Sequence, residues 1–273
     1  MNKADSYVTE LMLNALEEEL YSRKKETRST FKSYCHKFFN IVGVKDTYER
    51  EDFINFFENL EKKKYSGNSI RCSFYALKAL FRANEMSWPM GKNVPRVEET
   101  FPEIWEKEKI ESLIQAVREK GDSIQQFLLS LSTTYGLRRG EMARMKKEDI
   151  DPEKGEIAIK TEKMGEWRKH IVPDEIKSYL AIDSRKIPSS SSVNVEFWRM
   201  CQLAGIKRKT RENFHIIRAS LVTELIEAGV PEITVDKFMR WKRGGMVRRY
   251  HRPKMEAVDE AIFEAHPYLI YWR

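Results

Sequence analysis

One tyrosine near the end of the chain stands in a strongly basic stretch. From Lys237 through Lys254 there are eight lysine or arginine residues and no acidic residue, and Tyr250 follows Trp241 by nine positions. A tyrosine hydroxyl placed among fixed cations could attack a phosphodiester, because the cations would stabilise the charge that develops on the phosphate oxygens. The same stretch also suits a solvated basic face that carries a packed tyrosine.

Metal-free attack on a phosphodiester needs a small set of groups. Arginine suits the phosphate, because its planar fork grips two oxygens at once and stays charged. The leaving sugar oxygen needs a proton donor, and the phenol, whose ordinary pKa is about 10, needs a proton acceptor. The chain supplies these types at four places: Arg138 and Glu141 in TTYGLRRGEMARM, Lys163 at a predicted turn, His215 and Arg218 in FHIIRAS, and Trp241 with Tyr250.

In order and spacing, these motifs resemble the tyrosine recombinase (integrase) family. From His215 to Tyr250 the spacing matches that of bacterial Xer-type recombinases without a gap. The motifs lie within residues 104–253, and residues 6–86 resemble the family only by their helical layout. The resemblance implies that Tyr250 is the nucleophile and forms a 3′-phosphotyrosyl link. Such a link conserves the energy of the phosphodiester, so no metal, ATP or other cofactor is expected.

The resemblance also implies which residues hold the phosphate and protonate the leaving group. Arg138 and Arg218 would clamp the scissile phosphate, and Lys163 would protonate the departing 5′ oxygen. Lys160 and Lys169 flank the same turn and remain alternatives to Lys163.

The remaining implied roles concern the proton of the nucleophile and the support of the site. His215 would accept or relay the tyrosine proton, and Trp241 would donate its indole N–H to the phosphate. Glu141 would support the site from behind, or serve only as a fold-stabilising partner for an arginine. Arg139 is the alternative to Arg138, which follows Gly-Leu directly as the family pattern requires.

Three places depart from the Xer pattern. Xer-type proteins read Leu-Gly-His where this chain has Met239-Arg240-Trp241, and Leu-Arg-His where it has Ile217-Arg218-Ala219. The threonines usual before the tyrosine are Met246 and Val247. A tryptophan at the first place is a known variant, and the other departures indicate a divergent member, for which a mobile element and a host chromosome are both open as the source.

The charge of the chain predicts a polyanionic partner. Residues 1–98 carry 17 basic and 14 acidic side chains, and residues 99–273 carry 32 and 28, so a polyanion could lie across both halves. Two basic clusters are predicted to contact DNA. Their members are Lys207, Arg208, Lys209 and Arg211 in the first, and Lys242, Arg243, Arg248 and Arg249 in the second.

The elements that must position these residues are mainly helices. Apolar periodicity predicts helices at residues 7–20, 27–42, 50–63, 69–84, 107–120, 123–135, 138–145, 195–204, 213–228, 231–239 and 255–265. Alternation around Ile157 and Ile159, with Gly165 as turn residue, predicts one β-hairpin. Residues 185–194 are predicted to be a serine-rich loop.

These elements predict a mainly α-helical protein with two domains. Residues 87–102 contain three prolines and a glycine, which end the helical pattern. We expect a helical core-binding domain at 1–88, a linker at 89–103 and an α-rich catalytic domain at 104–273 with a small antiparallel hairpin. By resemblance, the two domains would close as a C-shaped clamp on duplex DNA.

The residues after the nucleophile predict a tail helix at 255–265. Met255, Val258 and Ile262 form one apolar stripe, and Pro267 follows. Related recombinases insert such a helix into a neighbouring protomer, and the apolar tail favours this exchange over packing within its own domain.

Cysteine use and hydropathy place the protein in the cytoplasm. Cys35, Cys72 and Cys201 lack zinc-ligand spacing, and no segment is apolar enough to be a signal peptide or a membrane span.

The predicted function is therefore a site-specific DNA recombinase that acts as a tetramer of protomers on two DNA sites. The alternatives are a type IB topoisomerase, which would relax supercoils as a monomer, and a catalytically silent DNA-binding accessory protein.

Overall fold

The computed structural model describes residues 3–97, 102–161, 167–182, 187–209, 212–241 and 255–273. The chain divides into two compact units, Met1–Thr100 and Phe101–Arg273. Within the described ranges, no helix combines the length and the apolar character needed to cross a bilayer.

The first unit is built from helices around an aromatic core. The helices are α1 (Lys3–Glu19), α2 (Lys25–Val42), α3 (Arg50–Lys62) and α4 (Gly67–Ala83). Phe38 packs 5.1 Å from Phe53 between ring centroids, and Phe53 packs 5.0 Å from Trp88. Burial of each such ring contributes roughly 1.5–3 kcal/mol, so this cluster is a main source of the unit's stability.

Helix α4 shows how the sequence sets the packing of this unit. The side chain of Ser66 accepts a hydrogen bond from the backbone N–H of Ser69 and caps the helix. Ile70, Phe74 and Leu77 follow at helical spacing and are buried. The predicted amphipathic helix is therefore confirmed.

The second unit is α-rich and contains a small sheet. Its elements are α5 (Lys107–Lys120), α6 (Ser123–Tyr135), α7 (Arg139–Met142), β1 (Ile150–Asp151), β2 (Glu156–Lys160), β3 (Trp167–Ile171), α8 (Asp174–Lys177), α9 (Ser190–Leu203), α10 (Phe214–Glu227), α11 (Glu232–Phe238) and α12 (Met255–Glu264). The mainly α-helical class with a small antiparallel sheet is confirmed.

The sheet is antiparallel in the order β1-β2-β3. Ile157 pairs with His170 and Ile159 with Arg168, and both isoleucines are fully buried. The two strands of the predicted hairpin therefore pair, and its predicted turn residue Gly165 lies outside the described residues. Strand β1 was not predicted, because two residues are too few to show the alternation of a strand.

The serine-rich segment differs from its prediction as a loop throughout. Helix α9 begins at Ser190, where the side chain of Ser189 accepts a hydrogen bond from the backbone N–H of Ser192. Serine is a favourable residue before a helix because its hydroxyl satisfies such an N–H group. The prediction was wrong for residues 190–194.

The tail packs against its own unit. Val258 and Ile262 of α12 are buried, as are Tyr268 and Trp272 after it. The indole N–H of Trp272 donates to the hydroxyl of Thr133 at 3.1 Å. In this structure of one chain the apolar stripe of the tail is covered by the core of its own unit, and exchange into a neighbouring protomer stays a prediction.

Candidate active site

The site is organised around the turn that ends α6. Gly136 has a φ of 58°, a left-handed conformation that favours glycine. A Cβ atom at this position would lie 2.6 Å from Cε of Met239, so the end of that flexible side chain would have to shift. The turn leads through buried Leu137 to Arg138, which precedes α7.

Arg138 is held by the carboxylate of Glu141. The backbone N–H of Arg138 donates to Oε2 of Glu141 at 2.9 Å, and Nη1 donates to Oε1 at 2.9 Å. The Glu141 side chain is fully buried, whereas that of Arg138 keeps 30% of its surface exposed. The exposed part of the Arg138 side chain can therefore contact a ligand while Glu141 holds its backbone and Nη1 in place.

The ionised form of Glu141 is favoured by the surrounding arginines. Burial alone would raise the pKa of Glu141, but the charge of Arg240, the hydrogen bond from the Arg138 backbone and the charges of Arg138 and Arg218 bring it below its usual value.

Arg218 on α10 contacts the same turn. Its Nη1 donates to the carbonyl oxygen of Gly136, and its Nη2 donates to the carbonyl oxygen of Met239 at 2.8 Å. Its guanidinium carbon lies 5.6 Å from the ring centroid of Trp241, within range of a cation–π contact. Burial, and then the charges of Arg240 and Arg138, lower the pKa of Arg218, and Glu141 opposes that shift.

His215 stands at the N-terminus of α10, three residues before Arg218. Its backbone N–H donates to the side-chain oxygen of Asn213, which caps the helix. The exposed ring borders a cleft of about 290 Å³ together with Arg138, Arg139 and Asn194. Desolvation at this cleft, and then the charges of Arg218 and Arg138, lower the pKa of His215. The neutral imidazole is therefore favoured, and it can accept a proton.

The structure thus brings together four of the predicted catalytic residues. Arg138 follows the Gly136 turn, Arg218 donates to the carbonyl oxygen of Gly136 and contacts Trp241, and His215 shares a cleft with Arg138. Tyr250 and Lys163 lie outside the described residues.

The two alternatives to Lys163 differ in their surroundings. Nζ of Lys169 forms a salt bridge of 2.8 Å with Glu156. Lys160 is exposed and borders a cleft of about 350 Å³ that Glu141 also lines. Lys160 therefore remains an alternative that shares a cleft with a residue of the site.

Tyr268 and Tyr271 in the tail are the tyrosines to consider if Tyr250 is not the nucleophile, and both are engaged in their own unit. The ring of Tyr268 is fully buried, and burial raises the pKa of its hydroxyl. The hydroxyl of Tyr271 donates to Glu111 on α5, and this bond raises its pKa to about 12.

The first predicted DNA-contacting cluster is partly engaged within the protein. Nη1 of Arg208 donates to the carbonyl oxygen of Glu212 at 2.7 Å, and Nζ of Lys209 lies 3.1 Å from the carboxylate of Glu103. Lys207 is exposed. The remaining predicted contacts lie outside the described residues: Arg211, Lys242, Arg243, Arg248 and Arg249.

Sequence reasoning missed three residues behind the site. Arg240 is buried against Glu141, His170 contacts Arg240, and Asp259 contacts His170. The substitution of Arg240 for the glycine of the Xer pattern was the signal that could have identified the first of them.

Residues 103–257 match the sequence profile of the phage integrase family. The chain is 26% identical to the tyrosine recombinase XerA of Pyrococcus furiosus over 262 residues. This alignment covers 90% of this chain and 90% of the relative. A lambda integrase tetramer bound to a Holliday junction is similar in structure, with a TM-score of 0.68 and 16% identity over 89% of this chain and 77% of that chain. A lambda integrase dimer bound to a COC′ core site has a TM-score of 0.67 and 17% identity over 90% of this chain and 98% of that chain. At these identities, the two solved structures show a shared fold.

Proposed function

The chain belongs to the phage integrase family and is a tyrosine recombinase, and from this premise we propose that Tyr250 cuts DNA at a phosphate held by Arg138 and Arg218. The observation that carries the assignment is the convergence of Arg138, Arg218, His215 and Trp241 on the Gly136 turn. The family match favours site-specific recombination over the topoisomerase and accessory-protein alternatives.

The charge of the site fits a phosphodiester. Three guanidinium groups, those of Arg138, Arg218 and Arg240, surround the carboxylate of Glu141, so the cluster carries excess positive charge. Arg218 is buried and donates one N–H of each terminal nitrogen to a carbonyl group, and a guanidinium carries three further N–H groups that could bind a phosphate. Because these donors are fixed before the reaction, they can stabilise developing charge without reorganisation.

The reaction is a transesterification in which atoms balance without a co-reactant. The Tyr250 oxygen bonds to phosphorus, the bond from phosphorus to the 5′ oxygen breaks, and a 3′-phosphotyrosyl link remains. His215, favoured in its neutral form, takes the phenolic proton, and Lys163 gives a proton to the departing 5′ oxygen. Attack by the 5′ hydroxyl of another strand reverses these steps and releases Tyr250.

The partners are duplex DNA and further copies of this chain. Lambda integrase is a tetramer in its complex with a Holliday junction, and an equivalent assembly of four protomers on two DNA sites would perform strand exchange here. We assign residues 1–88 to DNA clamping, 89–103 to the linker and 104–273 to catalysis. A DNA substrate agrees with action in the cytoplasm.

The test is the capture of the covalent intermediate. Wild-type protein is incubated with DNA that contains candidate recombination sites. The DNA ends attached to the protein are sequenced, and the modified peptide is identified by mass spectrometry. We expect a 3′ link to Tyr250, and Tyr250→Phe should lose the adduct while it binds the same DNA. An adduct formed by the Phe variant would refute the assignment. Relaxation of plasmids that contain a single site, without any need for a second site, would favour the topoisomerase.

A further inference from the structure

Arg240 occupies a backbone position that a glycine would adopt more easily. Its φ is 58°, which costs a non-glycine residue roughly 1–2 kcal/mol. Its side chain is fully buried, and burial of a charged group carries a further cost. The side chain must therefore make contacts that offset both costs.

Those contacts tie together elements on several sides of the site. Nη1 of Arg240 donates to the carbonyl oxygen of Phe238 at 2.9 Å, and Nη2 donates to that of Tyr135 at 3.0 Å. Nη2 also lies 3.9 Å from Oε2 of Glu141. Burial lowers the pKa of Arg240 to about 10 while Glu141 opposes the shift, so the guanidinium remains protonated at neutral pH.

Through these contacts Arg240 reaches both phosphate-binding arginines. Glu141, which faces Arg240, holds the backbone and the side chain of Arg138. The turn at Arg240 also separates Met239, whose carbonyl oxygen accepts from Arg218, from Trp241, whose ring contacts Arg218. A change in the turn would therefore displace two contacts of Arg218.

On its other side, Arg240 is connected to the tail helix. Nη1 of Arg240 lies 3.3 Å from Nε2 of His170, and Nδ1 of His170 lies 2.9 Å from Oδ1 of Asp259 on α12. Since arginine is only a donor, Nε2 must accept and Nδ1–H must donate, which fixes the neutral tautomer. The second oxygen of Asp259 accepts from the backbone N–H of Ile171 at 2.6 Å.

We propose that Arg240 is a positioning residue for strand cleavage, which orients Arg138 through Glu141 and makes this orientation depend on the docking of α12 through His170 and Asp259. The inference rests on the proposed function, because it assigns Arg138 and Arg218 to the phosphate. It adds a coupling between the tail helix and the phosphate site that the catalytic residues alone do not require.

The first experiment is a double-mutant cycle between Arg240 and Glu141. Arg240→Gly suits the backbone and removes the side chain, and Glu141→Gln removes the charge that Arg240 faces. At saturating DNA, each single variant should cleave at least about tenfold more slowly in a single turnover, with DNA affinity changed less than about twofold. The double variant should be no slower than the slower single variant, because both act through one contact.

Three outcomes would overturn the proposal. They are wild-type cleavage by Arg240→Gly, losses that multiply in the double variant, and a loss of DNA affinity that accounts for the loss of rate. Added guanidinium at millimolar concentration provides a further readout. It should restore part of the cleavage by Arg240→Gly but none by Tyr250→Phe, and no restoration would indicate a role in folding alone.

The second cycle leaves Arg240 in place and remains informative if Arg240→Gly does not fold. Asp259→Asn should slow cleavage, and its effect should be non-additive with that of Glu141→Gln, because contacts through His170 and Arg240 connect the two residues. Glu260→Gln, on an exposed position of α12, is the matched control and should cleave normally. Additive effects of Asp259→Asn and Glu141→Gln would refute the coupling.

The two proposals fail in different ways. If the adduct of the wild-type protein maps to a residue other than Tyr250, the proposed function is wrong whatever the cycles show. If it maps to Tyr250 and the cycles are additive, only the role of Arg240 is wrong.

Discussion

Gly136 constrains the geometry of the proposed phosphate site through both its backbone and its contacts. It combines a positive φ with contact on both sides, since an added Cβ would meet Cε of Met239 at 2.6 Å and Cγ of Arg218 at 3.4 Å. The carbonyl group of the same residue accepts a hydrogen bond from Arg218. Backbone and side-chain geometry at the site are therefore linked at one position.

We expect Gly136→Ala to lower both the thermal stability and the rate of cleavage. The left-handed backbone should cost roughly 1–2 kcal/mol, and relief of this strain should move the Gly136 carbonyl group that accepts from Arg218. Gly205→Ala is the matched control, because Gly205 has a φ of 66° but nothing within 4 Å of the added Cβ. It should lose comparable stability without the loss of cleavage rate. Equal rates for the two variants in single-turnover assays would refute this account.

Single substitutions can also test which lysine protonates the leaving group. Lys163→Ala should slow cleavage of a normal 5′-oxygen leaving group and recover on a 5′-thio leaving group, which needs no proton. Lys169→Ala is the control and should act normally on both substrates, because Lys169 is paired with Glu156. If Lys163→Ala is equally impaired on both substrates, the role belongs to Lys160 or Lys169, or Lys163 is a phosphate contact.

At the scale of elements, the tail helix is both a structural and a functional component. Its apolar stripe covers the second unit, and its Asp259 contacts His170 and the backbone of β3. His266 continues the attachment beyond the helix, because its Nε2–H donates to the carbonyl oxygen of Thr134 at 3.0 Å. These contacts predict that the tail is required for the stability of its own unit.

Truncation after Lys254 should therefore lower the thermal stability sharply. The deletion removes buried side chains, among them Ile262, Tyr268 and Trp272, and exposes the apolar surface that they cover. Differential scanning calorimetry of the truncated and complete chains measures the effect. A truncated protein of normal stability that fails only in synapsis would instead support exchange between protomers.

Two point variants control for general damage at the terminus. Ile262 is fully buried, so Ile262→Ala should cost about 2–5 kcal/mol, whereas Ile270 is 60% exposed and Ile270→Ala should cost less than about 0.5 kcal/mol.

At the scale of the whole molecule, the distribution of charge governs the binding of the protein to DNA. The formal net charge is +7, and the surplus is spread over both halves of the sequence. Part of the basic cluster before α10 is neutralised within the protein, as the pairing of Lys209 with Glu103 shows. The number of basic residues in a segment therefore overstates its number of phosphate contacts.

Binding to non-specific duplex should weaken steeply with salt, because the protein releases counterions when it neutralises phosphates. Lys207→Gln should reduce the slope of log affinity against log salt by about one, and Lys209→Gln should reduce it less. Fluorescence anisotropy between low and physiological salt measures both slopes. A slope near zero for the wild-type protein would contradict binding by a basic clamp.

The sequence by itself determined the order of elements and predicted the residues of the proposed catalytic set. Helical periodicity and capping residues are local, so α4, α6 and the hairpin could be predicted without knowledge of their neighbours. Arg138, His215, Arg218 and Trp241 were identified because their spacing along the chain resembles that of a family.

Only the tertiary structure decided what lies behind those residues. Arg240, His170 and Asp259 come from three separate segments, and none of them has a local pattern that predicts burial of a charged or polar group. Their side chains are close because the turn after α11, strand β3 and helix α12 pack together. The place of the tail was decided in the same way, because an apolar stripe specifies that a helix is covered but does not specify the surface that covers it.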